Sequence, residues 1–182
     1  MKTIEYIGVN RHVGGNFMKA LSTAFLILTL TIAVSYVYGQ VNDQTIRQRV
    51  LKKAIIDRTF IFGKWTDKGG TETHLQYLGQ VTTKHGQIYK ILNSMWFWGL
   101  SHRATSRILV FNQDNKYVGN YYVTVTTDLP TKMKSGKLIF ENTKEECDKK
   151  IKTIVDLKNG LPTQFFRKCK DKFQDIYSFD TE

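Results

Sequence analysis

Residues 87–126 read QIYKILNSMWFWGLSHRATSRILVFNQDNKYVGNYYVTVT. Three runs rich in β-branched and aromatic residues, Gln87 to Trp98, Ser106 to Asn112 and Lys116 to Thr126, are separated by short polar stretches, one of them Gln113-Asp114-Asn115. Runs of this kind, bounded by turn residues, read as strands. Their links are too short for a parallel crossover, which needs a dozen or more residues. Neighbouring strands must therefore form antiparallel hairpins.

The pattern extends in both directions. Upstream lie Phe60 to Trp65 and His74 to Thr82, downstream Lys137 to Glu141, Lys150 to Leu157, Pro162 to Cys169 and Asp175 to Phe179. Asp67-Lys68-Gly69-Gly70, Lys84-His85-Gly86 and Ser135-Gly136 supply further turns. Ahead of the strands, Ile46, Val50 and Ala54, with Leu51 and Ile55, recur at helical spacing. Arg47, Gln48, Arg49, Lys52 and Lys53 take the other side, and Asn42 or Asp43 can cap the start. The expected fold class is mainly β, or α+β: an antiparallel meander sheet or barrel of about eight strands packed with one N-terminal amphipathic helix. Closure would remove exposed edges, but periodicity does not decide between barrel and open sheet. Gly63-Lys64-Trp65 is similar to the Gly-x-Trp of lipocalins; Thr127-Asp128 lacks the tyrosine context of that family's second motif, and the resemblance stops at three residues.

The apolar run Ala20 to Gly39, ALSTAFLILTLTIAVSYVYG, begins after Lys19 and ends abruptly at Gln40-Val41-Asn42-Asp43. A positive start, an apolar centre from Ala24 to Val34 and the cut-site residues Val37-Tyr38-Gly39 match a signal peptide. The competing reading is a retained membrane anchor over residues 20–39, since about 20 apolar residues can span a bilayer. Thr23, Thr29, Thr31 and Ser35 dilute the run, and no close Lys/Arg cluster follows it. Residues 1–39 are read as leader and signal peptide, and residues 40–182 as a single exported β-rich domain, periplasmic or secreted. That length is enough to bury a core.

The chain has two cysteines, Cys147 and Cys169, at matched distances on either side of Asn159-Gly160. Asn-Gly between two β-type runs is a strong hairpin signal, and an even cysteine count in an oxidising compartment favours a disulfide. The expectation is a bridge clamping that hairpin. A zinc site is disfavoured, because two cysteines without CxxC or clustered histidines are too few ligands. No metal and no cofactor is expected.

The formal net charge is +11, and most of it lies beyond residue 39. Lys149-Lys150-Ile151-Lys152 and Arg167-Lys168-Cys169-Lys170 alternate charge with other side chains, as the wet face of a sheet does. Such an excess attracts anionic partners: an anionic small molecule, a glycan or an envelope surface. Nucleic acid is disfavoured for an exported chain, and a membrane partner in the integral sense requires residues 20–39 to be retained.

Chemistry-bearing signals are few. His74, His85 and His102 are isolated, and the chain has no Gly-x-Ser-x-Gly, P-loop or GxGxxG. No catalytic residue is assigned. Within Asn93 to Arg107, Trp96 and Trp98 share one face of a strand and Met95 and Phe97 the other, so apolar bulk projects both ways. One face suits a core; the other needs the helix as cover or else lines a binding patch. Trp96, Trp98, His102, Arg103 and Arg107 are the candidate ligand-binding residues, since stacking surfaces beside cations suit anionic or sugar-like ligands. The leading expectation is an exported non-enzymatic binding or envelope-associated protein. The alternative is a small secreted hydrolase using His102 or His74 with a nearby carboxylate.

Overall fold

A helix, α1, covers residues 43–53 and turns Ile46, Val50 and Leu51 inward. Its spacing agrees with the expected amphipathic segment as far as Leu51, whereas Ala54 and Ile55, expected on the same side, follow the helix and are exposed. The computed structural model describes residues 43–170 and 173–181; the apolar segment 20–39 and the cut site at Gly39 lie outside them.

Ten strands follow: β1 Thr59–Gly63, β2 Glu72–Thr82, β3 Ile88–Trp98, β4 Arg103–Asn112, β5 Tyr117–Val123, β6 Lys132–Lys134, β7 Lys137–Glu141, β8 Lys152–Asp156, β9 Gln164–Lys170 and β10 Phe173–Asp180. Every ladder between them is antiparallel. They build a seven-stranded sheet in the order β1-β2-β3-β4-β5-β10-β9 and a three-stranded sheet in the order β6-β7-β8. The protein is mainly β, and both sheets are open, so the barrel alternative does not hold. The meander runs unbroken only to β5. The chain then leaves through a short 3-10 turn at Thr126–Asp128 to make the small sheet, and returns with β9 at an edge and β10 inserted beside β5.

Each face of the large sheet carries its own apolar cluster, as period-2 alternation requires when both faces are covered. On one side Ile46, Val50 and Leu51 of α1 pack on Leu75, Tyr77, Leu92, Leu109 and Phe111. On the other, Leu138, Phe140, Val155 and Leu157 from the small sheet and its exit pack on Leu78, Val81, Ile91, Ile108, Val110, Tyr121, Val123, Phe165 and Tyr177.

Two expectations need correction. The Asn159-Gly160 turn does not fold one ladder back on itself: β8 pairs with β7 and β9 with β10. The segments still meet side by side. The Lys168 amide donates to Thr153 Oγ1 at 3.0 Å and the Asp148 amide to the Cys169 carbonyl at 2.8 Å. The expected Cys147–Cys169 disulfide is present, with Cα atoms 4.6 Å apart, but it ties the segment preceding β8 to β9 instead of closing a hairpin ladder.

Arg167 is the second correction. It was expected on a wet face and is 1% exposed. Phe165, Arg167 and Cys169 share the face of β9 that looks toward the small sheet. Arg167 Nη1 lies 2.7 Å from Asp128 Oδ1, while Nη2 donates weakly to the carbonyls of Thr127 and Glu141 at 3.4 and 3.5 Å. Asp128 Oδ2 also meets Lys144 Nζ at 3.0 Å and accepts from the Tyr177 hydroxyl at 3.2 Å. Among the described residues, Arg167 Nε and Nη1 meet no acceptor at hydrogen-bonding geometry, so the pairing is Coulombic and not a bidentate fork. Burial pushes the Tyr177 hydroxyl's pKa up, and the neighbouring Asp128 carboxylate adds to it.

Candidate functional site

The β3–β4 hairpin positions the candidate residues. Its turn has Gly99 at φ +70° and His102 at φ +50°, left-handed positions that glycine adopts freely and histidine at a cost. The ladder sets Trp96 opposite Thr105, Trp98 opposite Arg103, and Ser94 opposite Arg107. Arg107 in turn faces Tyr122 on β5. Trp96, Trp98, Arg103 and Arg107 therefore share the face that carries α1.

The helix leaves this part of the face open for a simple reason of size. The eleven described helical residues span about 16 Å, whereas the 11 residues of β3 span about 37 Å and seven strands about 29 Å of width. α1 sits over Leu75, Leu92 and Leu109, and the hairpin end lies beyond it.

There the indoles of Trp96 and Trp98 stack with centroids 5.6 Å apart and planes 24° apart. Arg103 places its guanidinium 5.6 Å from the Trp98 ring, and Trp98 Nε1 donates to Thr105 Oγ1 at 3.2 Å. Trp98 is thus held from both sides. Trp96 is 42% exposed and Tyr122 52%, and both guanidinium groups reach solvent. The arrangement offers aromatic faces beside two cations, suited to stacking and to charge-assisted hydrogen bonds with a phosphate, sulfate or carboxylate.

His102 is placed apart from these four. Its ring lies 4.0 Å from Trp65 and 4.9 Å from Phe97, on the opposite side of the sheet. A second cluster forms there. His74 Nε2 is 2.5 Å from Glu72 Oε1, the Trp65 amide donates to Glu72 Oε2 at 3.4 Å, and His74 packs edge-on against Phe97. The hydrogen bond from His74, helped by the Trp65 amide, holds the Glu72 carboxyl below the usual range. Trp65 Nε1 donates to the Gly99 carbonyl at 2.7 Å, which ties the loop after β1 to the hairpin turn. The sequence reading offered His74 with a nearby carboxylate as a hydrolase alternative; Glu72 is a carboxylate that the i, i+2 spacing on β2 brings beside it. That reading gave no sign of Trp65 joining them.

Among the described residues no group of three or more His, Cys, Asp or Glu side chains is arranged to hold a metal ion. No helix among them is long and apolar enough to cross a membrane. The disulfide is the covalent chemistry of an oxidising, non-cytoplasmic location. No family model matches the chain, and no curated protein or solved structure is significantly similar to it.

Proposed function

We propose that the chain is an exported, non-enzymatic protein that binds an anionic ligand on the open part of its large sheet. The observation that carries this reading is the stacked Trp96–Trp98 pair with Arg103 against it, half exposed on a face that α1 does not cover. Large apolar rings in water destabilise nothing in the fold but favour any partner that covers them, and Arg103 and Arg107 set the sign of that partner's charge. The disulfide and the apolar segment 20–39 support export, with the mature chain beginning at Gln40.

Tryptophan emission titrated with a water-soluble glycerophosphate and with a sulfated oligosaccharide tests the binding. At least one should shift the spectrum, and Arg103→Ala with Arg107→Ala should weaken that response about tenfold or more while the thermal midpoint stays near wild type, because exposed charges contribute little to folding. A wild-type spectrum unmoved by either compound, with no gain in thermal stability, refutes it. Intact mass of the exported protein should correspond to a start at Gln40; full-length chain in the membrane fraction refutes the cleavage.

The second reading, hydrolysis, is favoured by the 2.5 Å contact between His74 and Glu72. It requires ester turnover that disappears in His74→Ala and survives Arg103→Ala.

A further inference from the structure

The exposed aromatic pair is one end of a longer apolar row. Phe179 pairs with Tyr121, whose ring it touches at 5.0 Å in the core, and Asp180 pairs with Asn120. Alternation along β10 then sends Tyr177 inward, where it is 3% exposed, and Ile176 to the opposite face, the one that carries Tyr122. Ile176 pairs directly with Phe166 on β9. Ile176 is 56% exposed and Phe166 44%. Trp96, Trp98, Tyr122, Ile176 and Phe166 thus stand on one face across β3, β4, β5, β10 and β9, four strand spacings or about 19 Å wide. Arg103 and Arg107 lie at one end of the row, and Lys168, two residues on from Phe166, is exposed at the other. Among the described side chains that these five strands place on this face, Asp180 is the one carboxylate, beside Asn120.

We infer that this face docks peripherally on an anionic lipid surface; the inference rests on the anion-binding reading above and names its partner. Charge complementarity selects the sign of the surface. The side chains select lipid over sugar: Ile176 and Phe166 carry no donor or acceptor for a hydroxyl-rich ligand, whereas aliphatic and phenyl groups enter the headgroup–acyl boundary. Trp and Tyr rings settle at headgroup level, and Arg and Lys stems lie along apolar surface with their charges outward. A sheet face that sets exposed apolar side chains between cationic residues suits that boundary.

The test uses the full chain and vesicles of phosphatidylglycerol with phosphatidylcholine, or of phosphatidylcholine alone, each carrying bromolipid to quench tryptophan. All variants share residues 20–39, so any contribution of that segment is common to them. Wild type should partition preferentially to the anionic vesicles and be quenched. Phe166→Gln with Ile176→Gln, on strands remote from the tryptophans, should lower partitioning about tenfold or more with an unchanged response to soluble glycerophosphate. Arg103→Ala with Arg107→Ala should cost about thirtyfold on anionic vesicles and abolish the preference over neutral ones. Should the apolar double variant unfold early, Ile176→Gln alone repeats the measurement. Wild-type partitioning by the Phe166/Ile176 variant, alongside glycerophosphate binding, overturns the membrane surface and leaves the anion platform standing. Binding of the sulfated oligosaccharide without vesicle partitioning overturns it in favour of a glycan. If neither vesicles nor soluble anions bind, both readings fall.

Discussion

Removing either half of the buried Asp128–Arg167 pair should be among the most damaging single changes in the domain, and the two halves should not be equivalent. Both side chains are almost fully buried, 2% and 1% exposed. Taking one partner from a buried ion pair typically costs about 3–5 kcal/mol, because an uncompensated charge stays behind. In Arg167→Met the remaining carboxylate keeps Lys144 at 3.0 Å and the Tyr177 hydroxyl at 3.2 Å. That variant belongs at the low end, about 3 kcal/mol. In Asp128→Leu the guanidinium keeps, among the described residues, the distant carbonyls of Thr127 and Glu141 and cannot lose its charge. That variant belongs near about 5 kcal/mol, comparable with the whole stability of a marginal domain at about 5–15 kcal/mol. The double variant removes both charges and frees Lys144, which is 24% exposed and can turn to water; it should recover most of the larger loss. Urea unfolding followed by circular dichroism gives all three free energies and the coupling between them. Single variants within about 1 kcal/mol of wild type, or a double variant as damaged as the sum of the singles, would refute the reasoning.

Replacing Cys147 and Cys169 together by alanine should lower stability by about 3 kcal/mol in the chain-entropy account, read from unfolding with and without the bridge; non-reducing peptide mapping that finds both thiols alkylated in exported protein would remove the premise. Gly119→Ala should cost about 1–3 kcal/mol, because a Cβ there would overlap the Asp180 carbonyl and the Phe179 ring and push β10 from β5; an unchanged thermal midpoint contradicts it. Glu141 is held below the usual carboxylate range chiefly by its hydrogen bond and charge pairing with Lys152, with Lys132 adding to it, and Asp156 by the Lys158 amide. Lowered folded-state values mean stability present above the ordinary carboxylate range and lost as pH falls through the folded values. Glu141→Gln should accordingly flatten the acid limb of midpoint against pH, and an acid limb identical to wild type would count against it.

Local pattern carried most of the elements. Lys137 to Glu141 was legible to the residue, because the apolar run Leu138-Ile139-Phe140 is bounded by charged residues and follows the Ser135-Gly136 turn, and Ile46, Val50 and Leu51 marked the helix by period alone. β6 was not legible: Lys132-Met133-Lys134 holds one apolar side chain, too few for a period. The pairing partners were also hidden, since nothing local in Leu161 to Phe179 says that β9 turns from β8 to β10 or that β10 seats beside β5. Arg167 looked like surface for the same reason: its carboxylate, Asp128, sits on a turn far along the chain and comes near only when the second sheet folds over. For the candidate site, strand alternation was enough to unite Trp96, Trp98, Arg103 and Arg107. His102 escaped it because a turn residue at positive φ does not follow the alternation of the strands that it joins. Phe166 and Ile176 lie on strands whose neighbours the sequence leaves open, and their part in the same face became visible only through the ladder.

The position of β10 has a consequence for how the chain is made. The ribbon from β1 to β5 is built of local hairpins and can form as soon as Val123 has emerged, but its β5 edge waits for β10, which lies far later in the chain. Until Phe173 to Asp180 arrive, that edge presents unpaired amides and carbonyls, the form of a sheet most open to pairing with another molecule. A chain synthesised from its N-terminus therefore cannot complete its main sheet until β10 has been made. Both cysteines precede β10, so the Cys147–Cys169 bridge can form before that strand closes the gap between β5 and β9.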